Sequence, residues 1–211
     1  MTAVKIEKLT KKLNGNIILN DINLEIETGT VNAFFGPNGS GKTMLFRAIS
    51  GLIKPTSGSI YIFGERLGDE IEFPNNIGLT IENVGFWNEY TGFENLKLLA
   101  GIRNKISDED IKTSLERVGL KADDKRSYNK YSLGMKQKLA IAQAIMEKPD
   151  ILVLDEPTNS LDSKSVEKFR KIIQEEKARG ATILISSHKD TDLINLVDNY
   201  YEMEEGSLIN N

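Results

Sequence analysis

The sequence predicts an α/β fold in which a mostly parallel core sheet is covered by helices, with an antiparallel β part at the N-terminus and a helical insertion. Three observations predict it. Strand-like and helix-like segments alternate through most of the 211 residues. A glycine-rich loop at residues 36–43 stands between an apolar strand and a helix. The first 30 residues differ, because they contain two stretches of alternating apolar and polar residues, which are typical of half-exposed antiparallel strands.

The predicted elements follow in order along the chain. Alternating residues 4–9 and 22–27 predict the antiparallel pair, joined near Asn14 and Gly15. Further strands are predicted at 31–35, 59–63, 77–81, 151–154 and 181–185, and helices at 44–51, 93–102, 107–118, 133–147 and 163–179. Ser107 followed by Asp110 is the pattern of a capping box. We therefore expect one domain over residues 1–211, with a helical subdomain at about 84–148 inserted between strands of the core.

Composition excludes several classes of function. The chain has no cysteine, which excludes disulfides, Cys-zinc sites and thiol catalysis. Its formal net charge of −4 gives no support for nucleic-acid binding. The N-terminal MTAVKIEKLTKK lacks the apolar core of a secretory signal. No apolar run approaches the roughly 20 residues of a membrane-spanning helix. We therefore expect a protein that is soluble by itself, has no nucleic-acid partner, and reaches a membrane only through another chain.

The glycine-rich loop reads GPNGSGKT, which fills every fixed position of the pattern GxxxxGK[ST]. Its glycines let backbone N–H groups turn toward phosphate oxygens, and the helix that follows directs its positive end at the same anion. The lysine is placed to reach the β- and γ-phosphates, and the threonine to offer a hydroxyl to Mg²⁺. The sequence thus predicts a nucleoside triphosphate site formed by Gly36, Pro37, Asn38, Gly39, Ser40, Gly41, Lys42 and Thr43.

A second group of candidate residues follows two buried strands. Asp155 and Glu156 end the apolar strand at 151–154, where open α/β sheets place their ligands. Asp155 is suited to hold Mg²⁺, and Glu156 to accept a proton from the attacking water. His188 is the one histidine of the chain and follows the last buried strand, where an imidazole can donate to a γ-phosphate oxygen. Catalytic roles are therefore predicted for Glu156, His188 and Lys42.

A third candidate lies before the predicted helix at 133–147. Ser132 is a good N-cap, and the helix start that it caps is a second place where an anion can bind. Ninety residues separate it from Lys42, so the two sites need not serve the same nucleotide. By pattern alone, Ser132 is equally well explained as a helix cap and nothing more.

Taken in order, these motifs resemble those of the nucleotide-binding subunit of ABC transporters. GPNGSGKT resembles the Walker A loop, YSLGMKQKLAIAQAI the signature motif and its helix, ILVLDEPTNSLD the Walker B strand and D-loop ending at Asp162, and SSH the switch histidine. The resemblance covers Val4 to about Ile209. It implies the P-loop NTPase fold of an ABC ATPase, with ATP and Mg²⁺ as cofactors. It also implies a head-to-tail dimer, in which Ser132, Gly134 and Gln137 of one chain contact the nucleotide held by the other.

Two departures from the family pattern concern the site. Where the family usually has glutamine after the strand at 77–81, this chain has Glu82, which adds a carboxylate near Mg²⁺. That acid, with the TGFENL run at 91–96, resembles the branch of bacitracin- and lantibiotic-resistance exporters. Where the family stacks an aromatic ring on adenine, Leu13 is present, so the preference for ATP over GTP is an inference from the family. Metal contacts are thus expected from Thr43, Asp155 and Glu82, and a base contact from Leu13.

We therefore expect an ATPase subunit that works at the cytoplasmic face of the plasma membrane and powers a separate permease, an exporter of a peptide antibiotic or lipid-like substrate. A soluble ABC ATPase, such as one acting in cluster assembly, is the alternative, since the catalytic motifs do not exclude it. A small-molecule kinase would leave the signature helix and His188 unexplained. An aromatic cluster of Phe86, Trp87, Tyr90 and Phe93 has two interpretations, the core of the helical subdomain or a groove for a short helix of the permease.

Overall fold

The computed structural model describes residues 1–82, 85–187, 193 and 195–210. The strands in these parts are β1 Thr2–Leu13, β2 Asn16–Glu27, β3 Val31–Phe35, β4 Ser57–Ile62, β5 Glu65–Arg66, β6 Ile77–Thr80, β7 Ile151–Leu154, β8 Thr182–Ser186, β9 Asn199–Glu204 and β10 Ser207–Asn210. The α-helices are α1 Lys42–Ile49, α2 Gly92–Arg103, α3 Asp108–Arg117, α4 Leu133–Ile145 and α5 Ser163–Ala178. A short 3₁₀ turn at Tyr128–Lys130 precedes α4.

The N-terminal half contributes a four-stranded antiparallel sheet in the order β2-β1-β4-β5. The long hairpin of β1 and β2 turns at Asn14 and Gly15, which both have positive φ angles. Positive φ is easily adopted by glycine and tolerated by asparagine, and this is why the Asn-Gly pair stands here. The hairpin brings Leu13 to the same end of the molecule as the glycine-rich loop.

The core sheet has six strands in the order β10-β9-β3-β8-β7-β6, and every neighbouring pair is parallel except β10 with β9. All residues of β7 and β8 are buried, as expected for strands that are covered on both faces. Because the parallel strands share one direction, the carboxyl ends of β3, β7 and β8 lie at the same edge. That edge carries the glycine-rich loop, Asp155 with Glu156, and Ser186.

Two hydrophobic clusters hold these layers together. One lies between α1, the N-terminal sheet and one face of the core sheet, with Phe34, Phe46 and Leu184 among its members. The other lies on the opposite face, beneath α2 to α5, and includes Leu139 and Phe169. The core sheet is therefore sandwiched between the antiparallel sheet with α1 and a layer of helices. The helices α2, α3 and α4 all fall between β6 and β7 in the chain.

The predicted fold class is confirmed, and the differences concern the bounds of elements. Both N-terminal strands are longer than the alternating pattern indicated, and α1 begins at Lys42 rather than at Met44. The capping box of α3 is present, with Ser107 and Asp110 exchanging hydrogen bonds. The hairpin of β9 and β10 was not predicted, because NYYEME has no apolar run and its alternation is confined to residues 201–204.

Candidate functional site

The loop between β3 and α1 is held in a form that only glycine allows at two points. Gly36 has a φ of 147°, and a Cβ there would collide with the Met203 carbonyl oxygen. Gly41 has a φ of 106° and precedes α1 without offering a capping side chain. The first N–H groups of α1 are therefore not capped by the residue before the helix, and they are directed toward the loop. Such a helix start attracts an anion.

Lys42 points into this loop and is 5% exposed. Its Nζ donates to the carbonyl oxygens of Gly36 at 2.7 Å and Pro37 at 3.1 Å, and to Ser40 Oγ at 3.4 Å. Burial lowers the pKa of the Lys42 ammonium group, while the carboxylates of Glu156 and Asp155 act to raise it. The loop thus holds a cation where the terminal phosphates of a nucleotide would lie.

A chain of short hydrogen bonds joins the loop to the ends of β7 and β8. Thr43 Oγ1 donates to Asp155 Oδ2 at 2.6 Å, and Ser186 Oγ donates to Asp155 Oδ1 at 2.5 Å. Ser186 Oγ also accepts a hydrogen bond of 2.8 Å from the backbone N–H of Glu156. A single serine thereby orients both acids, because it binds the side chain of one and the backbone of the next.

The hydroxyl of Thr43 and the carboxylate of Asp155 are hard oxygen ligands, and this donor pair fits Mg²⁺. Among the residues that the structure describes, no three acidic, histidine or cysteine side chains gather into a metal site by themselves. A magnesium ion that keeps phosphate oxygens and waters as its other ligands does not need such a cluster.

The backbone of Glu156 is held in a left-handed conformation, with a φ of 49°. Its carboxylate accepts a hydrogen bond from Asn159 Nδ2, and its carbonyl oxygen accepts one from the Asn159 N–H at 3.2 Å. Asn159 therefore fixes both the side-chain carboxylate and the backbone carbonyl group of Glu156. Positive φ in a non-glycine residue carries a cost, and it is common where function requires a particular side-chain direction.

Glu156 and the loop border one open cavity of about 370 Å³. Its lining residues are Leu13, Ile18, Asn38, Gly39, Ser40, Gly41, Lys42, Thr43, Met44 and Glu156. The apolar part comes from the N-terminal hairpin, where Leu13 is 50% exposed. The structure therefore brings together an anion-binding loop, two acids and a half-exposed apolar side chain.

The signature residues do not line this cavity. Ser132 caps α4, its Oγ accepting from the Met135 N–H at 3.3 Å, and its side chain is exposed. Gly134 lies so close to the D-loop that an added Cβ would be 2.9 Å from the Ser160 carbonyl oxygen. Gln137 is half-buried on α4. Asp162 caps α5, and hydrogen bonds from Ser165 lower the pKa of its carboxyl group.

The remaining predicted residues are Glu82 and His188. Glu82 has a φ of 54°, and its Oε2 lies 2.6 Å from an Arg47 guanidinium nitrogen on α1. His188 lies outside the described residues. Sequence reasoning missed Ser186, Asn159 and Arg47. The position of Ser186 at the end of a buried strand beside β7 was a usable signal, whereas the pattern gave none for the other two.

The aromatic cluster had two interpretations, the core of the helical subdomain or a groove for a permease helix, and its members differ in which of the two they fit. Phe86 is buried and its ring meets that of Tyr128 edge to face at 5.2 Å. Trp87 and Tyr90 are 46% and 43% exposed. The turn that presents them is shaped by the fully buried Asn95, whose side chain accepts from the Trp87 N–H and donates to the carbonyl oxygens of Trp87 and Tyr90.

Comparison with known proteins gives a consistent result. The family model described as "ABC transporter" matches residues 19–159. The chain is 51% identical to "Uncharacterized ABC transporter ATP-binding protein YybJ" of Bacillus subtilis, over 97% of this chain and 94% of the relative. It is 38% identical to "Lantibiotic transport ATP-binding protein SrtF" of Streptococcus pyogenes, over 98% and 89%. It is 36% identical to "Bacitracin transport ATP-binding protein BcrA" of Enterococcus faecalis, over 98% and 68%.

Solved structures resemble the fold as a whole. The dimeric post-hydrolysis state of the ATP-binding cassette MJ0796, bound to ADP and Pi, superposes with a TM-score of 0.87 at 26% identity and covers 98% of this chain and 97% of that one. Within the described part of the chain, no helix is both long and apolar enough to cross a membrane.

Proposed function

This chain belongs to the ABC transporter family, and we propose that it is the ATP-hydrolysing subunit of an exporter whose membrane-spanning permease is a separate chain. The chain is an ABC-type ATPase. The observation that carries the role in ATP hydrolysis is the hydrogen-bonded chain from Thr43 through Asp155 and Ser186 to Glu156, which joins the phosphate loop to the two acids.

The loop amides and Lys42 bind the triphosphate, and the positive start of α1 adds to the attraction. Thr43 and Asp155 would hold Mg²⁺, which neutralises charge on the phosphate oxygens when bound. Glu156, oriented by Ser186 and Asn159, accepts the proton of the attacking water. The polar loop at one end of the cavity and Leu13 at the other support contacts to the phosphates and the base.

The other predicted site residues complete the proposal. His188 assists in positioning the water at the γ-phosphate, and Glu82 stands near the metal side of the site. Ser132, Gly134, Gln137 and Asp162 act on the nucleotide of a second subunit in a head-to-tail dimer. These four residues do not line the cavity of their own chain, and this supports the arrangement. The dimeric state of the related MJ0796 cassette supports it as well.

The permease is proposed to bind the helical subdomain, residues 84–148, at the exposed side chains of Trp87 and Tyr90. Relatives named for bacitracin and lantibiotic transport support a peptide antibiotic as the exported substrate. The subunit then works at the cytoplasmic face of the membrane. A soluble cluster-assembly ATPase is not favoured, because the relatives are named as transport proteins.

The test is co-purification from native cells. Tagged Glu156→Gln protein is recovered from detergent-solubilised membranes with Mg-ATP, and the chains that accompany it are identified. Recovery of a stoichiometric multi-span membrane protein is expected. A Trp87→Glu variant should lose that partner while still binding ATP. Recovery of a soluble partner alone, in several detergents, would contradict the proposal.

A further inference from the structure

Glu82 brings a third acidic residue to the edge of the core sheet that carries the two acids of the site. It follows β6 by two residues, and the last residue of β6, Thr80, is paired with Leu154 of β7. The Asp155 N–H donates to the Thr80 carbonyl oxygen at 2.7 Å. Neighbouring strands lie about 5 Å apart, so the Glu82 backbone is within roughly 10 Å of the end of β7. A site that must accept a polyanion therefore has one more negative charge at its edge.

Arg47 stands on the other side of Glu82. It belongs to α1, one helical turn after Thr43, so that it lies on the same side of the helix as the residue that contacts Asp155. Its guanidinium group lies 2.6 Å from Glu82 Oε2, and the two side chains are 33% and 58% exposed. The left-handed backbone of Glu82 sets the direction of its side chain, and the ion pair holds its carboxylate on the flank of α1.

We propose that Arg47 is a positioning residue that acts on the nucleotide through Glu82. It cancels the charge of this glutamate and keeps its carboxylate away from the triphosphate, so that the end of β6 presents no net charge to ATP. This role of Arg47 rests on the proposed function of the phosphate loop. It affects the strength of nucleotide binding and not the path of hydrolysis.

The size of the effect follows from Coulomb's law. One unit charge about 10 Å from another changes an affinity by roughly twofold in a medium of water-like dielectric, and the several charges of a triphosphate raise the total to about three- to tenfold once screening by salt is included. When Arg47 is neutralised, the released carboxylate becomes free to turn toward the site. Loss of the Arg47 charge itself acts equally whichever residue stands at position 82, so the part that depends on residue 82 comes from the released carboxylate. We therefore expect Arg47→Gln to weaken ATP binding about three- to tenfold more when residue 82 is glutamate than when it is glutamine.

The experiment measures the dissociation constant of ATP by calorimetry in EDTA, where no metal contributes, and of Mg-ATP in parallel. The proteins are wild type, Arg47→Gln, Glu82→Gln and the double variant. Arg47→Lys keeps the charge and should bind ATP within twofold of wild type. Arg103→Gln is the matched control, because Arg103 is 34% exposed and pairs with Glu147 at 3.1 Å outside the site.

The dependence on residue 82 decides the result. If Arg47→Gln weakens binding equally with glutamate and with glutamine at position 82, then Arg47 acts on ATP directly and the inference is wrong. If it has no effect with glutamate, the inference is also wrong. Failure of the proposed function would look different, because the wild-type protein itself would not bind or hydrolyse ATP. Melting temperatures check that all variants are folded, as expected for an exposed ion pair.

Discussion

Glu156 is the residue whose change should separate nucleotide binding from hydrolysis. In Glu156→Gln the amide still fills the space beside Asn159, but it cannot accept the proton of the attacking water. We expect kcat to fall by at least about 100-fold, with ATP affinity within about threefold of wild type. Phosphate release and calorimetry measure the two quantities. Glu167→Gln, on the exposed side of α5, serves as the control and should keep full activity. Turnover near the wild-type rate would remove Glu156 from this role.

Ser186 offers a second test at the scale of one atom. Removal of its hydroxyl in Ser186→Ala deprives Asp155 of a donor and the Glu156 N–H of an acceptor. Because neither contact touches the loop that binds phosphate, we expect kcat to fall about tenfold, with KM changed by less than about twofold. Ser114→Ala is matched to it, since Ser114 is also buried and hydrogen-bonded but lies on α3. A rise in KM without a fall in kcat would contradict the positioning role.

At the scale of residues, a contact can be predicted from the sequence only when the motif that indicates it is local. Thr43 and Asp155 are recognisable because each stands in a motif whose strand and loop are evident from the pattern. The ion pair of Arg47 with Glu82 joins residues 35 positions apart, and nothing in either segment indicates the other. Contacts of this kind are decided by how α1 packs beside β6, which the periodicity of a single segment does not specify.

At the scale of elements, Asp198 connects β3, α5 and β9. Its Oδ2 accepts from the Val31 N–H at the start of β3 at 2.8 Å, and its Oδ1 accepts from Lys177 of α5 at 2.5 Å. It directly precedes β9, so it fixes this strand beside β3. Burial acts to raise the pKa of Asp198, but the hydrogen bonds from Lys177 and Val31 outweigh it, and the pKa is lowered from 3.8.

A lowered carboxyl pKa has a definite consequence for stability. The contribution is present above the unfolded pKa of 3.8 and is lost as pH falls through the folded pKa. We expect Asp198→Asn to lower the free energy of unfolding by about 1 kcal/mol at pH 7, because the ion pair is partly exposed. The variant should also lose less stability than wild type below about pH 4. Urea unfolding at both pH values measures this, with the exposed Asp69→Asn as control. Equal losses in both proteins would contradict the assignment.

Strands were predictable from the sequence where both faces of the strand are buried, or where one face is buried and the other is exposed. The strands β7 and β8 read as apolar runs because helices or a second sheet cover both faces. In β9, Tyr200 is exposed and Tyr201 stacks on Phe34 at 4.9 Å, while Met203 is fully buried. Large side chains thus occur on both faces, and charged residues stand between them, so that the strand is recognisable only from its pairing with β3.

At the scale of the whole molecule, the first question is where the permease binds. Trp87 is the only tryptophan of the chain, and it is 46% exposed. If a helix of the permease covers this surface, the indole leaves water, and we expect its emission to shift to shorter wavelength when the complex forms. Fluorescence of the purified complex against that of the free subunit measures the change. An unchanged spectrum for a confirmed complex would place the contact elsewhere on the subunit.

The second question is how two subunits share the nucleotides. In the head-to-tail dimer that we propose, Ser132 of one chain would face the triphosphate bound by the other. Ser132→Asp keeps an acceptor for the Met135 N–H, so α4 stays capped, but it adds a negative charge that repels the triphosphate. In a Glu156→Gln background, Mg-ATP should double the 23.6 kDa mass of the parent in light scattering, and the Ser132→Asp variant should remain a monomer.

The same proteins are used to measure nucleotide binding by the monomer. This measurement decides whether Ser132 acts on the nucleotide of the second subunit or on that of its own subunit. ATP affinity of the Ser132→Asp monomer should stay within about twofold of the parent monomer, because Ser132 does not border the cavity of its own chain. Ser57→Asp, an equal change of charge on the exposed start of β4, should dimerise like the parent. A Ser132→Asp variant that dimerises normally would contradict the shared site. One that no longer binds ATP as a monomer would show that Ser132 acts within its own subunit, and the head-to-tail arrangement would then lose its physical basis.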